Sequence, residues 1–261
     1  MADFRPVLAK DFDPSKVNFT NSRVMGSGAK LFFIEYNGGP LVIQSPEMPV
    51  TFDPQVFEEG PDAKYSVKTS LNVSGDSRNQ CKEFYEKMSQ FDGRLKDLGK
   101  ENSQEWFKKK NMSNEVIDSM YTQCVKEHID QETGEPSGRY PPSFSFKVKK
   151  KEGNILCRCF DEDRKEINFN DPEKDGHMPL TDVLKKNSSI KGLFKCDFIW
   201  HSPGKFGCTW SAVQLKVKVA KSFSDGYAFM DDEEGNGSER ISQAQIVESD
   251  DEDDEEVVEE A

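Results

Sequence analysis

The chain has 261 residues, 34% of them hydrophobic, with a mean hydropathy of -0.77 and a formal net charge of -13. This allows one large domain or two small ones, leaves part of the chain unable to bury a core, and contains no apolar run long enough to span a membrane as a helix. The charge is uneven: residues 231–261 hold 15 acids and one Arg, a net of -14, while residues 1–230 hold 33 acids and 34 Lys plus Arg, a net of +1. A globally acidic protein would repel a polyanion, whereas a neutral body with local basic faces need not.

Residues 1–29 read as an irregular N-terminal arm, broken by Pro6, Pro14, Gly26 and Gly28. Lys30 to Tyr36 (KLFFIEY) is a strand, Asn37-Gly38-Gly39 a hairpin turn, and Leu41 to Gln44 the returning strand, ending in a Pro-bearing loop at Ser45 to Pro49. Tyr65 to Val73 alternates, with Tyr65, Val67, Thr69, Leu71 and Val73 on one face and Ser66, Lys68, Ser70 and Asn72 on the other. The period then changes. Cys81, Phe84, Met88, Phe91, Leu95 and Leu98 recur at three and four residues, which predicts an amphipathic helix over 78–99 ending at Gly99. A second helix starts near Ser103, and a third at a Ser113 cap with the stripe Val116, Ile117, Met120, Cys124 and His128. This helical insertion occupies about 78–129.

Residues 130–142 form a loop. Ser143 to Lys151 (SFSFKVKKK) resumes strand character, with Phe144, Phe146 and Val148 facing in and Lys147, Lys149 and Lys151 facing out. Glu152-Gly153-Asn154 turns the chain into ILCRCF, which brings Arg158 onto the partner strand beside the lysine row. A single-sign row is costly unless something negative lies against it, although lysines also serve to blunt solvated sheet edges. Residues 161–190 are polar with a short helix at Leu180 to Lys186.

Two long strands follow, joined at Ser202-Pro203-Gly204-Lys205, a tight-turn signature. On the first, strict alternation sets Phe194, Cys196, Phe198 and Trp200 against Lys195, Asp197, Ile199 and His201. On the second, it sets Val213, Leu215, Val217 and Val219 against Phe206, Trp210, Gln214, Lys216 and Lys218. The latter face interleaves rings with ammonium groups, which suits stacking on unpaired bases and neutralising phosphates. It also suits a second core layer in which Phe206 and Trp210 are buried and the lysines are ordinary edge charges, and on this hairpin alone that reading is the favoured one. With about seven strands, mostly paired by short turns, the closure expected is an antiparallel barrel carrying the helical insertion.

Ser222 to Met230 reads as the last ordered segment. Beyond it, Ser249 is followed by seven consecutive carboxylates, Asp250 to Glu256, which repel one another and bury nothing, so residues 231–261 are expected to be a disordered acidic tail. Ser249 suits an acid-directed kinase. A tethered polyanion competes with nucleic acid for basic faces, or simply keeps the chain soluble. The six cysteines contain no CxxC and read as reduced thiols of an intracellular protein. Walker, GxSxG and HExxH motifs are absent and there are three histidines, so the chain reads as a non-enzyme without metal or cofactor.

The stretches KLFFIEYNGGPLVIQSPEMPVTF at 30–52 and FGCTWSAVQLKVKV at 206–219, with the acidic end, resemble the single-stranded DNA-binding proteins of nucleocytoplasmic large DNA viruses, of the phycodnavirus and mimivirus type. These are similar to the OB-fold single-stranded DNA-binding protein of short-tailed coliphages. The resemblance covers roughly residues 25–220. It implies an OB-fold-like antiparallel barrel over 30–230, sequence-independent binding of single strands, and work at sites of DNA replication, in a host nucleus or a cytoplasmic viral factory. It also implies a tail that contacts replication proteins such as polymerase and helicase-primase and is able to support a homodimer. One departure is the end of the tail: the coliphage type closes on an aromatic residue, this chain on Glu259-Glu260-Ala261. The expected binding surface takes Trp210, Lys216 and Lys218 from the resemblance, and Lys147, Lys149, Lys151, Arg158, Lys195 and Phe206 from the strand faces. The rival expectation is an acidic-tailed interaction protein, a virion component or a chaperone of basic proteins, in which the tail itself is the binding element. A nuclease on the same barrel is a third reading, for which no acid cluster is visible.

Overall fold

The computed structural model describes residues 5–25, 30–57, 60, 63–74 and 79–221. The expectations for Gly26 to Gly28, for Ser222 to Met230 and for the acidic tail, Ser249 included, lie outside the described residues. Among those described, five strands close a barrel: β1 (Val42–Pro49), β2 (Lys64–Ser70), β3 (Ser143–Lys151), β4 (Ser189–Ser202) and β5 (Lys205–Lys218). β1 pairs antiparallel with β4, from Val42 opposite Lys195 to Pro49 opposite Ser189. β4 and β5 form the long hairpin, and β5 meets β3 in parallel at Ser211 and Lys147. β3 runs antiparallel to β2 from Lys149 opposite Lys64 to Ser143 opposite Ser70. The seam closes where β1 runs out: Val50 bridges Thr69, and the Thr51 N–H donates to the Lys68 carbonyl at 3.0 Å. The circuit β1-β2-β3-β5-β4-β1, antiparallel except for the β3–β5 seam, is the Greek-key barrel of the OB type. Mainly β architecture with a helical insertion between β2 and β3 is what the sequence leads one to expect.

The insertion packs as its periodicity requires. Helix α1 (Gln80–Glu101) buries Phe84, Met88, Phe91, Leu95 and Leu98. Phe84 sets its ring on Phe144 of β3 (5.4 Å between centroids), and Phe91 on Trp210 of β5 (5.5 Å). Each such side chain contributes roughly 1.5–3 kcal/mol by leaving water. Asn79 caps the helix by accepting from the N–H groups of Cys81 and Lys82. The helix runs through Gly99 rather than ending there: the Phe206 ring lies against that position, and a Cβ would stand 2.9 Å from its Cζ. Two short helices follow, α2 (Ser103–Trp106) and α3 (Asn114–Met120), the latter capped by Ser113. The apolar stripe expected to continue through Cys124 and His128 stops at Met120, beyond which the chain is extended and Tyr121–Thr122 runs beside β5.

Asp92 on α1 ties this segment down. It is buried, and it accepts from the Tyr121 hydroxyl at 2.6 Å and the Cys124 N–H at 3.1 Å. Burial pushes its carboxyl above the ordinary carboxylate range. Asp92→Ala leaves both donors unpaired in the interior, and a loss of about 1–3 kcal/mol is expected in urea unfolding.

Three expectations from the sequence are corrected. The N-terminal arm is not irregular throughout: Val17–Val24 pairs antiparallel with Lys30–Tyr36, and Val7–Leu8 lies parallel to β1. The Asn37-Gly38 turn is present, closed by reciprocal Tyr36–Gly39 backbone bonds of 2.8 and 3.1 Å, but the strands separate after it. β1 then continues through the segment expected to be a loop, Ser45 to Pro49, because β4 offers it a full-length partner. Third, Arg158–Phe160 pairs in parallel with β5 and antiparallel with Glu166–Ile167, not with β3, so Arg158 does not stand beside the lysine row.

Candidate nucleic-acid interface

Alternation along β2 and β3 buries Val67 and Thr69 on one strand and Phe144, Phe146 and Val148 on the other. The opposite face of the same ladder therefore points out of the barrel. It carries Lys64 opposite Lys149, Ser66 opposite Lys147, and Lys68 opposite Ser145. The parallel seam links this row to β4 by register: Ser211 of β5, itself buried, pairs with Lys147 on one side and with Lys195 of β4 on the other. Lys147, Lys149 and Lys195 thus come together as expected, joined by Lys64 and Lys68. The row is a ladder of cations and hydroxyls with little apolar surface of its own.

Rings arrive from the connection between β1 and β2. Phe52 is 56% exposed, and Phe57, in the short edge strand Gln55–Phe57 that pairs with Lys64–Ser66, is 46% exposed. The Lys68 Nζ lies 5.5 Å from the Phe52 ring centroid, so the connection folds back over the ladder. Sequence reading passed over Phe52 and Phe57. The signal was present in PVTFDPQVF, where large rings sit among Pro, Asp and Gln with no periodicity that would bury them.

The rings chosen from sequence are elsewhere. Phe206 is 0% exposed and Trp210 3%. The cause is a bulge: Leu193 opposes Gln214 while Phe194 opposes Ala212, so Val213 is an extra residue in β5. Strict alternation fails across it. Leu215 and Val217 after the bulge face inward, and so do Trp210 and Phe206 before it. The Trp210 indole N–H is satisfied inside, donating to the Cys124 sulfur at 3.3 Å. That sulfur lies 3.0 Å from Cys208 Sγ, and burial holds both thiols well above their ordinary pKa.

A second bulge lies between Cys196 and Phe198, where Asp197 is the extra residue. Its Oδ2 sits 2.6 Å from Lys149 Nζ, an ion pair by distance without a well-directed hydrogen bond. The remaining expected cations are spread around the edges. Arg158 is held by Glu166 through two bonds of 2.8 and 3.0 Å, which draw that carboxyl below its ordinary pKa. Lys218 stands 3.7 Å from Glu162, Lys151 is exposed at the end of β3, and Lys216 is exposed opposite Lys191.

The face made of β2, β3 and the β1–β2 connection is the one on which OB barrels bind oligonucleotides and oligosaccharides. Chemically, it offers charge neutralisation along a rigid sheet and exposed rings at its margin.

Comparison with known proteins adds a family and a set of distant likenesses. No curated protein matches this sequence. Among solved structures, gp2.5, a single-stranded DNA-binding protein encoded by bacteriophage T7, superposes with a TM-score of 0.44 at 11% identity, over 74% of this chain and 100% of that one. The single-stranded DNA-binding protein from bacteriophage Enc34, solved in complex with ssDNA, gives 0.39 at 10% identity, over 77% and 92%. Residues 70–231, from the end of β2 through β5, match the model of a family of unknown function, DUF5871, and the chain belongs to that family.

Proposed function

We propose that this protein binds single-stranded DNA without sequence preference on the outer face of β2 and β3. One observation carries the reading: Lys64, Lys68 and Lys147 stand in register on one outward face, beside Lys149 in its ion pair with Asp197, with the exposed rings of Phe52 and Phe57 at its margin. Cations that follow the backbone, and rings that accept any base, bind single strands while leaving sequence unread. The binder has no catalytic step. The likeness of residues 30–52 and 206–219 to the single-strand binders of large DNA viruses supports a role in DNA replication, recombination and repair. The 231–261 segment, with its net charge of -14, competes with DNA for the lysine face and recruits replication proteins such as polymerase and helicase-primase.

The test is fluorescence anisotropy with an unstructured oligonucleotide, single-stranded against duplex, using the full chain and a 1–230 truncation at two salt concentrations. Preference for the single strand is expected, with tighter and steeply salt-dependent binding by the truncation, since each neutralised phosphate releases counterions. Absence of binding by both forms overturns the proposal in favour of an interaction protein that works through its acidic segment.

A further inference from the structure

The outward alternation that makes the lysine ladder does not stop at the end of β2 and β3. Continuing past Lys68 and Ser145, the outward positions are Ser70 opposite Ser143, and then Asn72 and Pro141. These last two residues line a cleft of about 320 Å³, whose other walls include His128, Arg139 and Tyr140. Leu71 and Pro142 are buried while Asn72 and Pro141 are exposed, so the alternation carries these two cleft residues to the side of the sheet that holds the lysines. From Lys68 to Asn72 is four residues, on the order of 13 Å of strand.

Both walls are fastened. On one, the Asn79 side chain donates to the carbonyls of Asn72 and Ser74 at 2.7 and 2.8 Å. On the other, the 130–137 hairpin is pinned by Asp130, which accepts from the N–H groups of Glu132 and Thr133, and by the Ser137 N–H bonded to the His128 carbonyl. His128 Nδ1 meets Ser137 Oγ at 2.8 Å, which fixes the imidazole and leaves Nε2 for another partner. Tyr140 packs edge-on to that imidazole (5.0 Å) and beneath the Arg139 guanidinium (5.2 Å), yet keeps 37% of its surface in solvent. An exposed ring, a guanidinium and an oriented imidazole in one fastened cleft make a site for a flat ring that carries an anion. The one carboxylate in the lining, Glu127, accepts from the Tyr85 hydroxyl at 2.5 Å through Oε1. Its other oxygen suits an exocyclic amine of a base and repels a phosphate, so the phosphate belongs on the Arg139 side.

We propose that this cleft receives an unpaired nucleotide of the strand that lies on the lysine ladder, its base against Tyr140 and its phosphate on Arg139. The inference rests on the single-strand reading. In it, the ladder supplies general affinity, and the cleft adds a fixed stop at one end of the bound strand.

The test is a length series of unstructured deoxyoligonucleotides bound to the full chain, comparing wild type with Tyr140→Ala, Tyr140→Phe and Arg139→Ala. Tyr140 and Arg139 are exposed, so thermal melts of the variants are expected to match wild type. Wild type and Tyr140→Phe are expected to gain about tenfold in affinity at the length that reaches the cleft, and Tyr140→Ala to lack that step while binding shorter oligonucleotides normally. Arg139→Ala is expected to lose part of the same step. If Tyr140→Ala follows wild type at every length while both bind, the cleft proposal is overturned and the ladder reading stands. If no form binds at any length, the single-strand reading fails, and the cleft proposal with it.

Discussion

Trp210→Ala is expected to cost about 3–5 kcal/mol of stability, and to leave the single-strand affinity of the folded fraction unchanged. The sequence left two readings of Trp210 open, a ring on a binding face and a member of a second core layer, and the expected binding surface took the first. In the structure, Trp210 is buried between α1 and the barrel, in edge contact with Phe91 (5.5 Å) and Phe144 (6.0 Å). Removing the indole opens a cavity between these rings and strips Cys124 Sγ of its N–H partner. The surrounding side chains are β-strand and helix residues of a closed core and collapse only partly, which is why large-to-small changes exceed the transfer energy alone. Urea unfolding of wild type and Trp210→Ala, with anisotropy measured well below the unfolding midpoint, separates the two effects. A variant that melts like wild type but loses affinity would return Trp210 to the binding surface.

What could be read ahead of the structure, and what could not, divides along one physical line. Local periodicity found the elements and overran their ends in two places, since the stripe expected to reach Cys124 and His128 stops at Met120 and the alternation expected to reach Val73 ends its strand at Ser70. The stripe from Phe84 to Leu98 made α1, the Phe144–Val148 alternation made β3 with its lysines outward, and Pro203-Gly204 made the β4–β5 turn, with Gly204 at a φ of +81°. Periodicity failed at the two bulges, because one extra residue inverts every side chain beyond it, and neither Val213 nor Asp197 carries a local mark. Pairing between distant strands was also hidden. KLFFIEY and LVIQ flank a good turn, yet they separate, because Val17–Val24 and β4 make longer partners. Lys68 lay within the expected strand of Tyr65 to Val73, whereas the observed strand is Lys64–Ser70; Lys64 and Lys68 become a site only when β3 is placed beside β2, a contact spanning the whole helical insertion. Arg158 was misassigned for the same reason: the nearest strand in sequence is not its partner in space.

The second large effect separates charge from stacking on the proposed face. Lys64→Glu combined with Lys147→Glu is expected to weaken binding of single-stranded DNA more than tenfold at low salt. It should also reduce the slope of log affinity against log salt by at least about 1.4, since each lost phosphate contact removes about 0.7. Phe52→Ala and Phe57→Ala are expected to weaken binding by about 1–3 kcal/mol for each ring that stacks on a base, with the salt slope unchanged. All four side chains lie on or beside the outward ladder, away from the buried faces of β2 and β3, so the variants are expected to fold. Lys218→Glu and Arg158→Glu serve as controls. They alter the same net charge, but lie beside Glu162 and Glu166 rather than on the ladder, and should shift affinity only slightly. If reversal at Lys218 or Arg158 weakens binding as much as reversal at Lys64 and Lys147, affinity follows total charge, and no particular face carries it. If the ring variants flatten the salt slope as the lysine variants do, their effect is a displacement of the ladder, and the division of labour between ring and cation is wrong. The pattern expected instead is a slope set by β2 and β3 and an intercept set by the β1–β2 connection. A barrel that reads backbone and base with separate elements would give that pattern.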